Sequence, residues 1–197
     1  MSRSDRAPRD GWGERRGVAA LEFALIAPFV LILLVGTADA VLWLQTWIRL
    51  ESAAAETADI TSQYTSLYQS DITGTIFPIA QDIAENTQIS GSGGATIISS
   101  IVNSTGQPTI TWQQRTGSAA YASAFDTAGG NATLPANYVP TTGESLIAVE
   151  VFTAPHPWVF SAGLLGAIGM STMYEYALFT PRTSQLSTLQ SGNRPGS

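Results

Sequence analysis

Glu22 is the residue whose type and position most call for a chemical partner. It sits in RRGVAALEFALIAPFVLILLVGTADA, residues 15–40, six residues after Arg16 and five after Gly17. A carboxylate near the start of a membrane-length apolar run is costly unless a cation or a set of donors meets it. Little else in the chain suggests reactive chemistry. The one histidine, His156, lies between Pro155 and Pro157, and there is no cysteine. With no nucleophile elbow, phosphate-binding glycine loop or paired-acid motif, the sequence predicts no enzyme, no cofactor and no metal site. His156 reads as a loop histidine without a chemical role. Two Asn-x-Thr patterns, at Asn103 and Asn131, are too short to assign anything.

The elements that position Glu22 follow from the charge pattern. Among the 197 residues all nine basic residues are arginine, and five of them fall in residues 1–17 against three acids, a net of +2. The remaining residues hold four arginines against twelve acids, a net of −8. A basic leader before an apolar run reads as positive-inside, which keeps the arginines cytoplasmic and sends the rest across the membrane. The acidic remainder argues against nucleic acid as a partner. From Phe23 to Leu44, 22 residues give roughly 33 Å of helix, enough for a hydrocarbon core of about 30 Å. Pro28 removes one backbone donor and is expected to kink this helix near its start.

Three readings fit these residues. In the first, the run is a secretory signal peptide cut at the small-x-small pattern Ala38-Asp39-Ala40, although apolar periodicity continues through Val41, Leu42, Trp43, Leu44, Trp47 and Ile48. In the second, it is an uncut signal anchor, with Glu22 at headgroup level. The third takes Gly17-Val18-Ala19-Ala20-Leu21-Glu22-Phe23 as one processing unit. That unit resembles the cleavage site of type IV prepilins. GVAALEFALIAPFVLILL, residues 17–34, with Pro28 six residues after the glutamate, more closely resembles the TadE/TadF-like minor pilins (pseudopilins) of tight-adherence pili.

The resemblance implies cleavage after Gly17 by a prepilin peptidase, which makes Val18 the first, Glu22 the fifth and Phe23 the sixth mature residue. It also implies an assembly role for Val18, Glu22 and Phe23. The new α-amino group is positive near neutral pH, and Glu22 of one subunit can pair with that of a neighbour, which fixes axial register. The implied partners are the inner membrane, the peptidase, other minor pilins, the major pilin and the Tad assembly platform. The implied location is a single-pass inner-membrane protein, N-terminus cytoplasmic and C-terminal domain periplasmic, which can become pilus-associated at the cell surface. The implied function is structural, in the initiation or tip complex of an adhesive pilus. The alternative is a signal-anchored or secreted extracytoplasmic binding domain unrelated to pili.

Downstream, Trp47, Leu50, Ala54, Ala58, Thr61, Tyr64 and Tyr68 recur at spacings of three and four, which predicts one helix from 18 to about 67 whose second half is an amphipathic stem. Residues 74–86 predict a short second helix and SGSGG, 90–94, a turn. Segments 95–102 and 109–114 predict a hairpin turning at Gly106-Gln107-Pro108, and 146–153 and 171–180 predict two further strands. Residues 115–145 read as a long irregular loop, functional or partly mobile. Residues 154–170, APHPWVFSAGLLGAIGM, read as a buried crossover or short helix, with a second membrane span as the alternative. This strand–apolar stretch–strand–arginine order, from Val149 to Arg182, also resembles the end of TadE/TadF-like chains, more loosely than the N-terminus does. The expected fold is α+β and pilin-like, a long N-terminal helix on a small antiparallel sheet. Its parts are a cleaved leader (1–17), a transmembrane helix (18–46), an extracytoplasmic domain (47–182) and a polar flexible tail (183–197).

Overall fold

The computed structural model describes residues 12–85, 87–135, 138–154, 172–183 and 185–195. Helix α1, Trp12–Ser62, runs 51 residues without a break, about 76 Å at 1.5 Å per residue. A two-residue strand β1 (Leu67–Tyr68), α2 (Gln69–Asp71), a π-helical turn (Ile72–Ile76) and α3 (Phe77–Ala84) follow. Then come strands β2 (Gly94–Asn103), β3 (Pro108–Gly117), β4 (Ser145–Thr153) and β5 (Met173–Phe179), and a two-residue β6 (Leu189–Gln190). The four long strands form one antiparallel sheet in the order β3-β2-β4-β5. The protein is α+β, a long N-terminal helix on a small antiparallel sheet, as the sequence predicts.

The helix lies on β4 and β5 and touches α3. Its contact side is lined by small residues: Ala53, Ala54, Thr57, Ala58 and Thr61 are all sealed from solvent. Small side chains let the helix axis come close to the sheet, so Leu50 above, and Ile98, Ile147, Val149, Val151 and Met173 below, fill one continuous core with Leu67, Ile72, Ile76 and Phe77. The opposite sheet face is also covered. Residues 118–135 cross it, and Phe125 and Leu134 pack on Ile101, Ile110, Leu146 and Ala148. Every residue of β2 and β4 is therefore buried, which is why these strands read as near-continuous apolar runs although the sheet is antiparallel.

The structure corrects four expectations. Helix α1 stops at Ser62, not near 67. Hydroxyl side chains take up its last carbonyls, with Thr61 Oγ1 donating to Thr57 O and Ser62 Oγ to Asp59 O, 2.7 Å each, and such local bonds compete with helix continuation. Tyr64 and Tyr68 are therefore not stem positions. Second, strand β3 runs on to Gly117, and the remaining loop is fastened rather than loose: Asn103 Nδ2 donates to Pro140 O at 2.6 Å and Thr133 N to Phe125 O at 3.0 Å. Third, the tail is docked over residues 185–195. Strand β6 pairs in parallel with β1, Leu186 is buried, and Trp112 Nε1 donates to Leu186 O at 2.7 Å. Fourth, the register of β2 and β3 shifts at Ser100/Ile101, where Thr111 is the extra residue. The bulge puts Trp112 in the helix-side core and Ile110 under the loop, so the alternation expected over 109–114 is broken. The leader up to residue 11, the expected crossover from 155 to 170 and His156 lie outside the described residues.

Two glycines show where backbone crowding sets the sheet end. A Cβ on Gly94 would lie 2.3 Å from Phe152 O and 2.4 Å from Gln88 O, both backbone atoms, whereas one on Gly74 would meet nothing within 4 Å. Gly94→Ala is expected to cost about 1–3 kcal/mol of stability. Gly74→Ala, in a helical turn, is expected to be neutral or to gain up to about 1 kcal/mol. Thermal unfolding of the full chain in detergent reads both, and equal effects would refute the assigned crowding.

Candidate functional site: the lipid-length helix and its anchors

The N-terminal part of α1 has no tertiary neighbour among the described residues. From Gly17 to Leu34 every side chain is exposed except half-buried Ala27. Phe23, Leu25, Phe29 and Leu33 are each at least 70% exposed, and Leu31 and Leu34, both 60% exposed, extend the apolar surface to the rest of the circumference. A water-facing surface of this kind is far more apolar than a soluble protein tolerates. An 18-residue window in Gly17–Ser62 reaches a mean hydropathy of 2.7, making this a helix long and apolar enough to cross a membrane.

On this helix the structure places each residue that the sequence singled out. Gly17, Val18, Glu22, Phe23 and Pro28 all lie within α1 and all are exposed. The helix absorbs Pro28 without an end or break in its assignment. Gly17 has open space around it, since a Cβ there would meet nothing within 4 Å. Val18 and Glu22, four apart, share one helix face. Among the described residues nothing else is brought to them, so the site is a surface on a rod.

Residues 17–59 match the TadE-like protein family. No curated protein and no solved structure matches the chain. The TadE-like segment is thus the exposed apolar rod together with the part of α1 that packs on the sheet. It ends just before the helix does. The domain built on it, residues 60–197, lies beyond the match.

Two polar anchors hold that domain, and neither is legible in the sequence. The first is Glu150, fully buried in β4 on the loop-side face. Ala124 N donates to its Oε1 at 2.7 Å, the Tyr174 hydroxyl donates to the same oxygen at 3.1 Å, and Ser123 Oγ donates to Oε2. Tyr121, Phe152, Tyr174 and Tyr176 form a run of ring contacts beside it, with centroids 4.8–5.9 Å apart. Burial pushes the Glu150 carboxyl above the usual range, against the lowering effect of its three donors. Burial and then the neighbouring Glu150 charge push the Tyr174 hydroxyl up as well.

The second anchor is Arg194. Its guanidinium contacts both carboxylate oxygens of Asp71, at 3.1 and 2.7 Å, and donates to Ser66 O at 2.9 Å. It lies over the rings of Tyr64 and Tyr68, at 5.5 and 5.1 Å from their centroids. A planar fork on a carboxylate with aromatic faces around it is a use lysine could not fill. The Arg194 hydrogen bond holds the Asp71 carboxyl below its usual range.

The Glu150 anchor generates a pH prediction. Its folded-state pKa lies above the unfolded value near 4.3. The stability this confers is therefore complete below about pH 4.3 and is lost as pH rises through the folded value. Glu150→Gln keeps an acceptor for Ala124 and Tyr174 and reverses the Ser123 bond, its amide N–H donating to the hydroxyl oxygen, but cannot ionise. The Tm of the variant should gain on that of the wild type as pH rises from about 4.3 towards 8. Parallel Tm curves would show that Glu150 does not ionise in this window.

Proposed function

We propose that the protein is a structural minor pilin (pseudopilin) that takes part in assembling a Tad-type pilus, in its initiation or tip complex, and that it is not an enzyme. The observation that carries this reading is the coincidence of the TadE-like match with the bare apolar rod. The matched segment, residues 17–59, takes in the exposed apolar stretch up to Leu34 and carries Glu22 on its surface. The precursor sits in the inner membrane, its N-terminus cytoplasmic and its domain periplasmic, in keeping with the basic leader. A prepilin peptidase cuts between Gly17 and Val18.

The physical case rests on what the fold does not require. Glycine inside a helix costs roughly 1 kcal/mol relative to alanine, and at position 17 nothing in the fold needs the missing side chain. A requirement for glycine there belongs to an outside partner, such as the peptidase. Glu22 follows the same logic. A carboxylate at a span centre costs about 2.5–3.5 kcal/mol on insertion scales. Glu22 lies about 6 Å from the new terminus at 1.5 Å per residue, where a neighbouring subunit's Val18 amine can reach it. Only one axial stagger of two such rods pairs both charges. Phe23 and the residues up to Leu44 supply the packing surface. The partners are other minor pilins, the major pilin and the Tad assembly platform.

Intact mass and N-terminal sequencing of the protein from its native host test this reading. A start at Val18 is expected. Gly17→Leu should leave thermal stability within about 1 kcal/mol yet abolish the shortened product. Glu22→Ala should still be cut but should lose pilus output. A start at Met1 in the wild type, or normal pilus output from Glu22→Ala, would refute the assembly role.

A further inference from the structure

The lower part of the domain begins inside the level of the apolar rod, and on one side only. Along α1 the covered side starts at half-buried Val35 and Gly36 and continues through buried Asp39, half-buried Trp43 and Thr46, and buried Leu50. On the opposite side Thr37, Val41, Leu44, Gln45 and Ile48 stay exposed, with Val41, Leu44 and Ile48 at 47%, 46% and 52%. From Val35 to Ile48 is about 20 Å of helix. Over that height one flank is protein and the other is bare apolar surface. From Val18 to Ile48 is about 45 Å, close to a bilayer with its headgroups.

From these observations we infer that the lower end of the domain is seated in the headgroup layer of the leaflet on its side, with Val41, Leu44 and Ile48 in contact with lipid. Three features choose lipid over a second copy of the chain. The stripe continues without a step from the fully exposed rod. The first charges on α1 above it, Arg49 and Glu51, come directly after Ile48, and Arg49 is held in an ion pair with Glu85 at 2.8 Å. Asp39, the acid that α1 itself carries within the stripe's span, is on the covered side and only 8% exposed.

Trp43 and Trp47, with ring centroids 6.1 Å apart, flank this level, and the Trp47 indole N–H donates to the Glu175 carboxylate on β5. The Trp47 ring, apolar in body with its N–H on a carboxylate at the surface, suits the membrane interface. Strand β4 ends and β5 begins at this same end of the sheet, since Thr153 pairs with Met173. A flat bilayer that covers Ile48 on one flank of α1 must also meet this end of the sheet on the other. The domain therefore rests on the membrane and does not stand off on a free stem.

The chain has no cysteine, so single-cysteine spin labels can be read on the full-length protein in proteoliposomes. Labels at Val41→Cys, Leu44→Cys and Ile48→Cys are expected to be accessible to oxygen and shielded from a polar nickel complex. Exposed Glu51→Cys and Thr105→Cys, on the helix above and at the β2–β3 turn, should show the reverse. Thr172→Cys, exposed just before β5, should fall between the two. Nickel access at 44 and 48 equal to that at 51, or at 172 equal to that at 105, would overturn the seating. So would shielding from both probes at 44 and 48 with spin–spin broadening lost on dilution with unlabelled protein, since that marks a second copy on the stripe.

Discussion

One unbroken helix must satisfy two solvents, and the rest of the molecule is arranged around that demand. Up to Leu34 helix α1 offers apolar side chains in every direction, which only a lipid or other apolar environment accommodates. Beyond Val35 one of its flanks is covered, and beyond Arg49 the open flank becomes polar, with Glu51 and Glu56 exposed. The helix hydrogen-bonds its own backbone throughout, so it can pass from one environment to the other without leaving a donor unmet. A strand at the same place could not.

The sheet takes its form from the helix it serves. The alanines and threonines between Ala53 and Thr61 bring α1 close, and a sheet packed so tightly on one face still has a second face to hide. The chain hides it with residues 118–135, mostly small side chains around Tyr121, Phe125 and Leu134. Backbone hydrogen bonds to β3 hold that thin cover at its edge, and Glu150 with the rings beside it fastens it from β4. A buried carboxylate without a countercharge is an expensive fastener. It is tolerable because three donors converge on its two oxygens.

The far end is closed by the C-terminal residues. Strand β6 supplies only two residues of pairing to β1, too little to hold by itself. Arg194 adds the Asp71 pair and the faces of Tyr64 and Tyr68. The chain directly after α1 and the chain's last described residues thus hold each other, and the end of the helix is tied into the domain it carries.

What the sequence determined by itself was whatever depends on local periodicity or composition: the membrane-length helix that carries Gly17, Glu22 and Pro28, the α+β class and the four long strands. Apolar runs and β-branched segments carry that information within a window of ten or twenty residues. Tertiary structure alone decided the rest. Alternation over 109–114 cannot announce a bulge, because Thr111 is displaced by the partner strand and not by its neighbours. Nothing in ESLIAVEV marks its second glutamate as buried, since its three donors come from residues 123, 124 and 174. A tail rich in serine, threonine and glutamine reads as loose until Arg194 finds Asp71, 123 residues away in the chain. The side of α1 that the domain covers is likewise invisible in a segment apolar all round. Local patterns fix what each stretch can become, and contacts between distant residues fix which of its surfaces are left open.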